Sequence, residues 1–210
     1  MKKDWNERAK ENAYMAILTT NDTDVFWNSG ETAAEALYLI FGNTTYLDFG
    51  CGIGRIAIPL SKRTSGDVYA YDISGNMITK GRKIYKADNL LWVVGDEEGE
   101  KLKELPPINV IFERLVFQHI PTSYLTKYLT IMHSILSDTG LLLAKVAITI
   151  NTNDRAYWKN IPDTDSWTSR MYTEEDLNSI MDSAGFTRYS INLRGEFSEG
   201  HTAWRKIDVS

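Results

Sequence analysis

Leu47-Asp48-Phe49-Gly50-Cys51-Gly52-Ile53-Gly54-Arg55 decides the reading of this chain. Thr45–Phe49 is short and β-prone, glycines follow, and residues 53–63 read as a helix. A strand that runs through a glycine turn into a helix places backbone N–H groups and a helix N-terminus at the carboxyl edge of a sheet. Open α/β sheets bind their ligands there. The glycines permit the tight turn and let a ligand approach the backbone.

The next strand, Asp67–Tyr71, delivers a second chemical group. It runs into Asp72, about twenty residues past the glycines, where a carboxylate accepts both hydroxyls of a ribose. Two ligands compete at this point, a dinucleotide and S-adenosylmethionine. The dinucleotide fingerprint wants a third glycine, which allows close helix–strand packing, and Arg55 stands at that position. Asp48, just before the loop, suits a ligand that carries a positive ammonium group.

Outward from these two turns the chain alternates. A helix is predicted over 74–85, strands over Leu90–Val94 and Ile108–Phe112, and a helix over Pro121–Leu136 with proline at its start. Asp138-Thr139-Gly140 reads as a turn and Leu141–Ile150 as a buried strand. Such alternation argues for a parallel sheet covered on both faces. A helix over Thr173–Ala184, closed by Gly185, is followed by strands at Phe186–Leu193 and Ala203–Val209. Their connection, Arg194–Thr202, is too short for a crossover helix, so they are expected to pair antiparallel. Before the core, residues 4–19 and 31–41 read as helices, the second with Ser29 as N-cap. Residues 151–172 read as an irregular insertion, and a stretch of that length is uncommon without a job.

Composition bounds the function. The chain has 210 residues, 43% hydrophobic and 24% charged, which fits one globular domain, here divided as a helical lid over 1–42 and a core over 43–210. The formal net charge of −5 lacks the basic balance of a long nucleic-acid contact. No apolar run approaches the roughly 20 residues of a membrane helix, so no membrane partner is expected. One cysteine, Cys51, permits neither an intrachain disulfide nor a thiolate zinc site. The three histidines show no ligand spacing, so no metal is expected. An N-terminus without an apolar leader points to the cytoplasm, and the chain is expected to act as a monomer or homodimer.

The motifs taken together resemble the class I S-adenosylmethionine-dependent methyltransferases. Leu47–Arg55 is similar to that family's first motif and Tyr71-Asp72-Ile73-Ser74-Gly75-Asn76-Met77 to its second. Val94-Gly95-Asp96 resembles the third, where an Asp holds the adenine amino group. Ile108–Pro121 resembles strand four and its post-motif. Leu136–Leu141 resembles the turn before strand five, and Tyr172–Leu177 with Ala184-Gly185-Phe186 the helix and turn before strand six. The motifs occur in order across 45–209. The strand-four Asp of the family is Asn109 here.

The resemblance implies a doubly wound α/β fold with a seven-stranded mixed sheet in the order 3-2-1-4-5-7-6, strand seven antiparallel, and N-terminal lid helices. It implies S-adenosylmethionine as cofactor, held by Trp27, Asp48, Gly50, Cys51, Gly52, Asp72, Ile73, Met77, Asp96 and Glu97, and a small-molecule acceptor methylated at oxygen or nitrogen. His119, just after strand four, is the candidate general base, with packing against the following helix as its plain structural alternative. Glu113, at the end of the same strand, is the second catalytic candidate, as a cofactor or substrate contact, with Arg114 beside it. Trp27 is a candidate lid residue that excludes water. Trp158, Trp167, Arg170 and Tyr172 are candidates for the acceptor wall. The absence of an Asn/Asp-Pro-Pro-Tyr segment after strand four argues against a DNA-amine methylase. The competing class of function is a non-catalytic S-adenosylmethionine-binding protein of the same fold.

Overall fold

The computed structural model describes residues 1–190 and 201–207. Two helices come first, α1 (Lys2–Leu18) and α2 (Thr23–Phe41). The alternating core follows as β1 (Tyr46–Phe49), α3 (Ala57–Arg63), β2 (Val68–Asp72), α4 (Gly75–Ile84), β3 (Leu90–Val94), the one-turn α5 (Glu100–Lys103), β4 (Ile108–Arg114), α6 (Thr122–Ile135), β5 (Leu136–Lys145), α7 (Glu174–Ser183), β6 (Phe186–Tyr189) and β7 (His201–Lys206). The seven strands form one sheet in the order β3-β2-β1-β4-β5-β7-β6. Strands β1 to β5 pair in parallel, and β7 lies antiparallel to both β5 and β6. Fold and strand order are those the resemblance implies. The predicted reaches of the last two strands over 191–193 and 208–209, and most of their connection, lie outside the described residues.

Side-chain alternation along the strands builds two cores. On one face Leu47, Ile108 and Ile111 pack with Leu102, Leu129 and Met181 from α5, α6 and α7. On the other Tyr46, Val110 and Phe112 pack with Leu37, Leu60 and Ile78 from α2, α3 and α4. Near-continuous burial of β1 and β4 is what a parallel sheet covered on both faces demands.

Four details differ from the sequence reading. The helix after the glycines begins at Ala57, because 52–56 form a wide turn in which Gly52 and Gly54 adopt positive φ. The second helix starts at Thr23: Asp22 accepts the Asp24 and Val25 amides at 2.9 and 3.0 Å, so it is the N-cap, and Ser29 lies inside the helix. The fifth strand spans Leu136–Lys145. Leu136 pairs with Ile108 and Leu141 with Val110, so 137–140 bulge opposite Asn109, and the segment beyond Lys145 leaves the sheet. Asn109 donates to Ser137 Oγ at 3.1 Å inside that bulge. It stands at the start of β4, about five residues or ~16 Å from the ligand edge, so its departure from Asp bears on the bulge and not on the site.

Candidate active site

The carboxyl ends of β1, β2 and β4 open into a cavity of about 360 Å³, within the ~300–1,000 Å³ typical of small-molecule sites. Its floor is backbone. Gly50 and Cys51 both donate to the Tyr71 carbonyl, at 2.8 and 3.0 Å, which ties the glycine loop to β2. Gly50 takes φ +77°, and a Cβ there would lie 2.5 Å from Val116 Cγ2, so the loop tolerates glycine alone at this point.

Asp72 joins the two ligand-edge loops. Its Oδ2 accepts the Gly52 amide at 2.8 Å and its Oδ1 the Ser74 amide at 2.7 Å. Ser74 in turn caps α4, accepting the Met77 amide. A carboxylate offers about four acceptor positions, so two remain for a ligand. Asp72 is buried at the cavity wall. Burial pushes its carboxyl up to about 6, against the pull of the Ser74 and Gly52 amides.

The roof is α1. It is docked by Asn6, whose Oδ1 accepts from Ser74 Oγ at 2.8 Å and from the Asn76 amide at 3.2 Å, and by Lys80, which donates to the Ala9 carbonyl. Glu97 accepts the Lys2 amide at 2.9 Å, and this bond holds its carboxyl below the usual range. Asn12 breaks the helix with extended backbone, and its Oδ1 accepts the Tyr14 and Met15 amides as a second N-cap. The break turns Ile17 onto the glycine loop, where a Cβ on Gly52 would meet Ile17 Cδ1 at 2.4 Å.

The far wall follows β4. Glu113 Oε2 accepts the Val116 and Phe117 amides at 2.8 and 3.2 Å, which fixes a tight turn with Leu115 at φ +59°. That turn presents Gln118 and His119. Gln118 Nε2 donates to Ser169 Oγ at 3.1 Å and lies 3.3 Å from His119 Nε2, and Ser169 Oγ is 3.5 Å from the same nitrogen. The 151–172 segment reaches this wall through the Arg170 amide, which donates to the Gln118 carbonyl at 2.7 Å. Burial drives the His119 imidazole down to about 4, helped by the charges of Arg8 and Arg170, so it is neutral at physiological pH.

Gly50, Gly52, Asp72, Ile73, Met77 and His119 from the sequence reading meet at the cavity, with Arg114 among its lining. The others stand elsewhere. Asp48 is buried behind the loop, its carboxyl pushed up to about 7 by burial against the opposing charge of Arg55. Cys51 points into the core beside Ile56 and Ala57, and burial raises its thiol well above the ordinary range, so it is no nucleophile. Trp27 packs edge-on against Phe26 and Tyr14 and supports α1 from behind. Asp96 spends its carboxylate on the Glu100 and Lys101 amides, at 3.0 and 2.9 Å, and with Glu97 faces a separate shallow groove along α1. Glu113 is wholly buried under its turn, where burial pushes its carboxyl up to about 8 against the Val116 and Phe117 amides. Trp158 stacks on Tyr172, and neither they, the half-exposed Trp167 nor the buried Arg170 is among the residues that line the cavity.

Residues the sequence reading missed are Trp5, Arg8 and Ile17 on α1, with Gln118 and Ser169. The one sequence signal for the first pair is their spacing, a Trp and an Arg at i and i+3 on one helix face.

A sequence profile described as "Methyltransferase domain" matches residues 9–191. Among solved structures the chain is similar to magnesium protoporphyrin IX methyltransferase (ChlM) from Synechocystis PCC 6803 with bound SAH, with a TM-score of 0.64 and 16% identity over 97% of this chain and 95% of that one. It is similar to the Haloferax volcanii protein solved in complex with the Trm112 methyltransferase activator, with a TM-score of 0.66 and 16% identity over 96% of each chain. The CcbJ methyltransferase from Streptomyces caelestis gives 0.60 and 15%, over 85% of this chain and 89% of that one. No curated protein matches the sequence.

Proposed function

The chain belongs to the methyltransferase-domain family, as an S-adenosylmethionine-dependent methyltransferase of the class I fold, and we propose that its acceptor is a small molecule, methylated at oxygen or nitrogen. The observation that carries this reading is Asp72: a buried carboxylate with two acceptor positions left open beside a glycine loop, on a cavity roofed by α1. Those two positions suit the two ribose hydroxyls, and the Gly50 and Gly52 backbone gives the close approach that the rest of the cofactor needs. Bound there, S-adenosylmethionine supplies an electrophilic methyl group on sulfur.

The protein's own work is positioning and exclusion of water. The α1 roof and the 151–172 segment enclose the acceptor against the methyl donor, and alignment of this kind replaces much of the entropic barrier. The His119 ring is neutral and offers a lone pair for the proton that a hydroxyl or ammonium acceptor gives up. Enclosure on this scale favours a metabolite over a polymer, and the one free, buried cysteine fits a reducing compartment.

The test is incubation of the purified protein with methyl-labelled S-adenosylmethionine and a metabolite panel, with S-adenosylhomocysteine release and product label both read. Transfer to at least one small acceptor is expected. Tight cofactor binding with no transfer to any acceptor would overturn the catalytic reading in favour of a binding protein.

A further inference from the structure

The cavity is electrically asymmetric. Among its lining residues only Asp72 carries a carboxylate, and it stands at the glycine-loop end. Another wall groups Arg8, Gln118, His119 and Ser169, with Trp5 edge-on to the His119 ring at 5.2 Å and stacked on Arg8. A chain with net charge −5 thus sets a guanidinium on the His119 wall of its cavity.

Arg8 is held in a way that suits ligand capture. Its guanidinium carbon sits 3.9 Å from the ring centre of Trp167 and 4.7 Å from that of Trp5, sandwiched between a residue of the 151–172 segment and one of its own helix. Stacking fixes the plane of the guanidinium and leaves its N–H edge for in-plane acceptors. Of the carboxylates that act on Arg8, Glu11 stands three residues on along the same helix, and the other two are engaged elsewhere. Asp4 accepts from Ser166 Oγ, and Asp165 accepts the Trp167 and Thr168 amides at 2.7 and 3.0 Å and the Thr168 hydroxyl at 2.6 Å. Among the described residues no carboxylate lies within ion-pairing distance of Arg8. Behind the same wall Arg170 is fully buried, with Nη2 donating to the Pro162 and Asp165 carbonyls and Nε and Nη1 without a hydrogen-bond partner. A preorganised guanidinium with no direct ion-pair partner among the described residues, on a partly desolvated wall, matches a planar oxyanion.

We propose that the methyl acceptor is an anion, a small molecule bearing a carboxylate or phosphate group, and that Arg8 receives that group on the His119 wall of the cavity. The proposal rests on the methyltransferase reading above and deepens it. Arg8 stacks on Trp5, whose ring lies 5.2 Å edge-on from that of His119, so the site it serves is on the acceptor side. With the oxyanion on Arg8, the acceptor lies between the guanidinium and the methyl donor, against His119 and Ser169.

The experiment uses the full chain and tryptophan emission, since Trp5 and Trp167 flank Arg8. Phenyl phosphate and benzoate are titrated against their neutral counterparts benzyl alcohol and benzamide, with and without saturating S-adenosylhomocysteine. The anions are expected to bind at least tenfold more tightly than the neutral probes, with affinity falling as salt rises. Arg8→Gln should erase that preference while leaving S-adenosylhomocysteine affinity within twofold, and Arg8→Lys should keep part of it. Equal binding of anions and neutral probes, or an anion preference untouched by Arg8→Gln, overturns the proposal. So does a loss of S-adenosylmethionine affinity in Arg8→Gln together with competition between anion and cofactor, because Arg8 would then serve the cofactor's own carboxylate. Failure of the wild type to bind S-adenosylhomocysteine strikes the cofactor reading instead, and the titrations without it still report on Arg8. Should Arg8→Gln fail to fold, as read by circular dichroism, the Lys variant and the salt dependence carry the test.

Discussion

One end of the cavity is built of main-chain turns; another wall is built of side chains brought from far apart. The glycine-loop end is formed by residues 49–54 and 71–77, two strand-to-helix turns cross-tied by Asp72 and by main-chain bonds to Tyr71. The acceptor end joins Arg8 of α1, Gln118 and His119 after β4, and Ser169 of the 151–172 segment. Backbone on the carboxyl edge of a sheet is held by the ladder on either side and changes little when surface residues change. A wall of side chains on two add-on segments can be rebuilt without touching the sheet. On the reading proposed above, the arrangement separates a cofactor that stays the same from an acceptor that distinguishes one enzyme from the next.

The largest expected effect falls at the backbone-built end. Asp72→Ala strands the Gly52 and Ser74 amides and, on the proposed reading, would remove two charge-assisted bonds to the ribose, each worth about 1.5–3 kcal/mol. S-adenosylmethionine affinity by isothermal titration is expected to fall at least a hundredfold, with Asp72→Asn intermediate. Because the native carboxyl titrates near 6, wild-type affinity should also weaken as pH drops through that value. An Asp72→Ala protein that binds the cofactor normally would break the distinction between the two ends.

Gly52→Ala is next. The residue sits at φ +57°, which costs an L-residue about 1–2 kcal/mol. Its new methyl would also press on Ile17 Cδ1. Thermal stability and cofactor affinity should both drop, the latter by about tenfold. Adding Ile17→Ala is expected to relieve the contact and leave the backbone cost. Full rescue by the second change would show that the roof, and not the loop conformation, limits this position.

The same contrast explains what the sequence disclosed. Glycines, the Asp that ends β2 and the strand–helix alternation are local patterns, so the sheet order and the Gly50, Gly52, Asp72, Ile73 and Met77 cluster were legible through resemblance and period. Arg8 and Trp167 meet only because α1 folds back over the sheet, a contact between distant segments that no local pattern encodes. Trp27 misled for the reverse reason: an aromatic ahead of the core reads as a lid, yet its side of α2 faces Phe26 and Tyr14. Glu113 misled because a carboxylate at a strand end also serves to cap the turn after it, and here Val116 and Phe117 take it inward.

Glu113 offers a third measurement, on the support of the acceptor wall. Its folded carboxyl titrates near 8, above the ~4.3 of an unfolded chain. The native state therefore binds this proton more tightly, and the stability it contributes is present in full below the unfolded value and lost as pH rises through 8. Glu113→Gln keeps an acceptor for the Val116 and Phe117 amides and removes the titration. It should flatten the decline of unfolding free energy between pH 5 and 8 by up to about 1.4 kcal/mol per pH unit. A slope identical to wild type in urea titrations would place the proton elsewhere.

The smallest effect is expected at His119, and it is read as the shape of a curve. An ordinary imidazole near 6.5 acting as the base would give a rate that rises across neutral pH. The buried ring titrates near 4 instead, so in the free enzyme it is already neutral at pH 7. The kcat/KM profile for the acceptor, taken at saturating S-adenosylmethionine so that the Asp72 titration does not enter, should be flat through neutrality and fall only below about pH 5. A base this weak contributes little driving force for proton transfer, so His119→Gln is expected to lower kcat by no more than about tenfold at pH 7 and to remove the acid limb. The kcat profile reports the loaded enzyme, and there the two readings of the acceptor part. A carboxylate or phosphate on Arg8 offsets the guanidinium charge that helps hold the ring down, and the kcat inflection then moves to higher pH than that of kcat/KM. A neutral acceptor leaves Arg8 uncompensated and adds only desolvation, and the kcat inflection stays at or below the other. Superimposable profiles would therefore count against the anionic acceptor, whereas a wild-type kcat/KM inflection at 6.5 would show that His119 is open to water in the working enzyme.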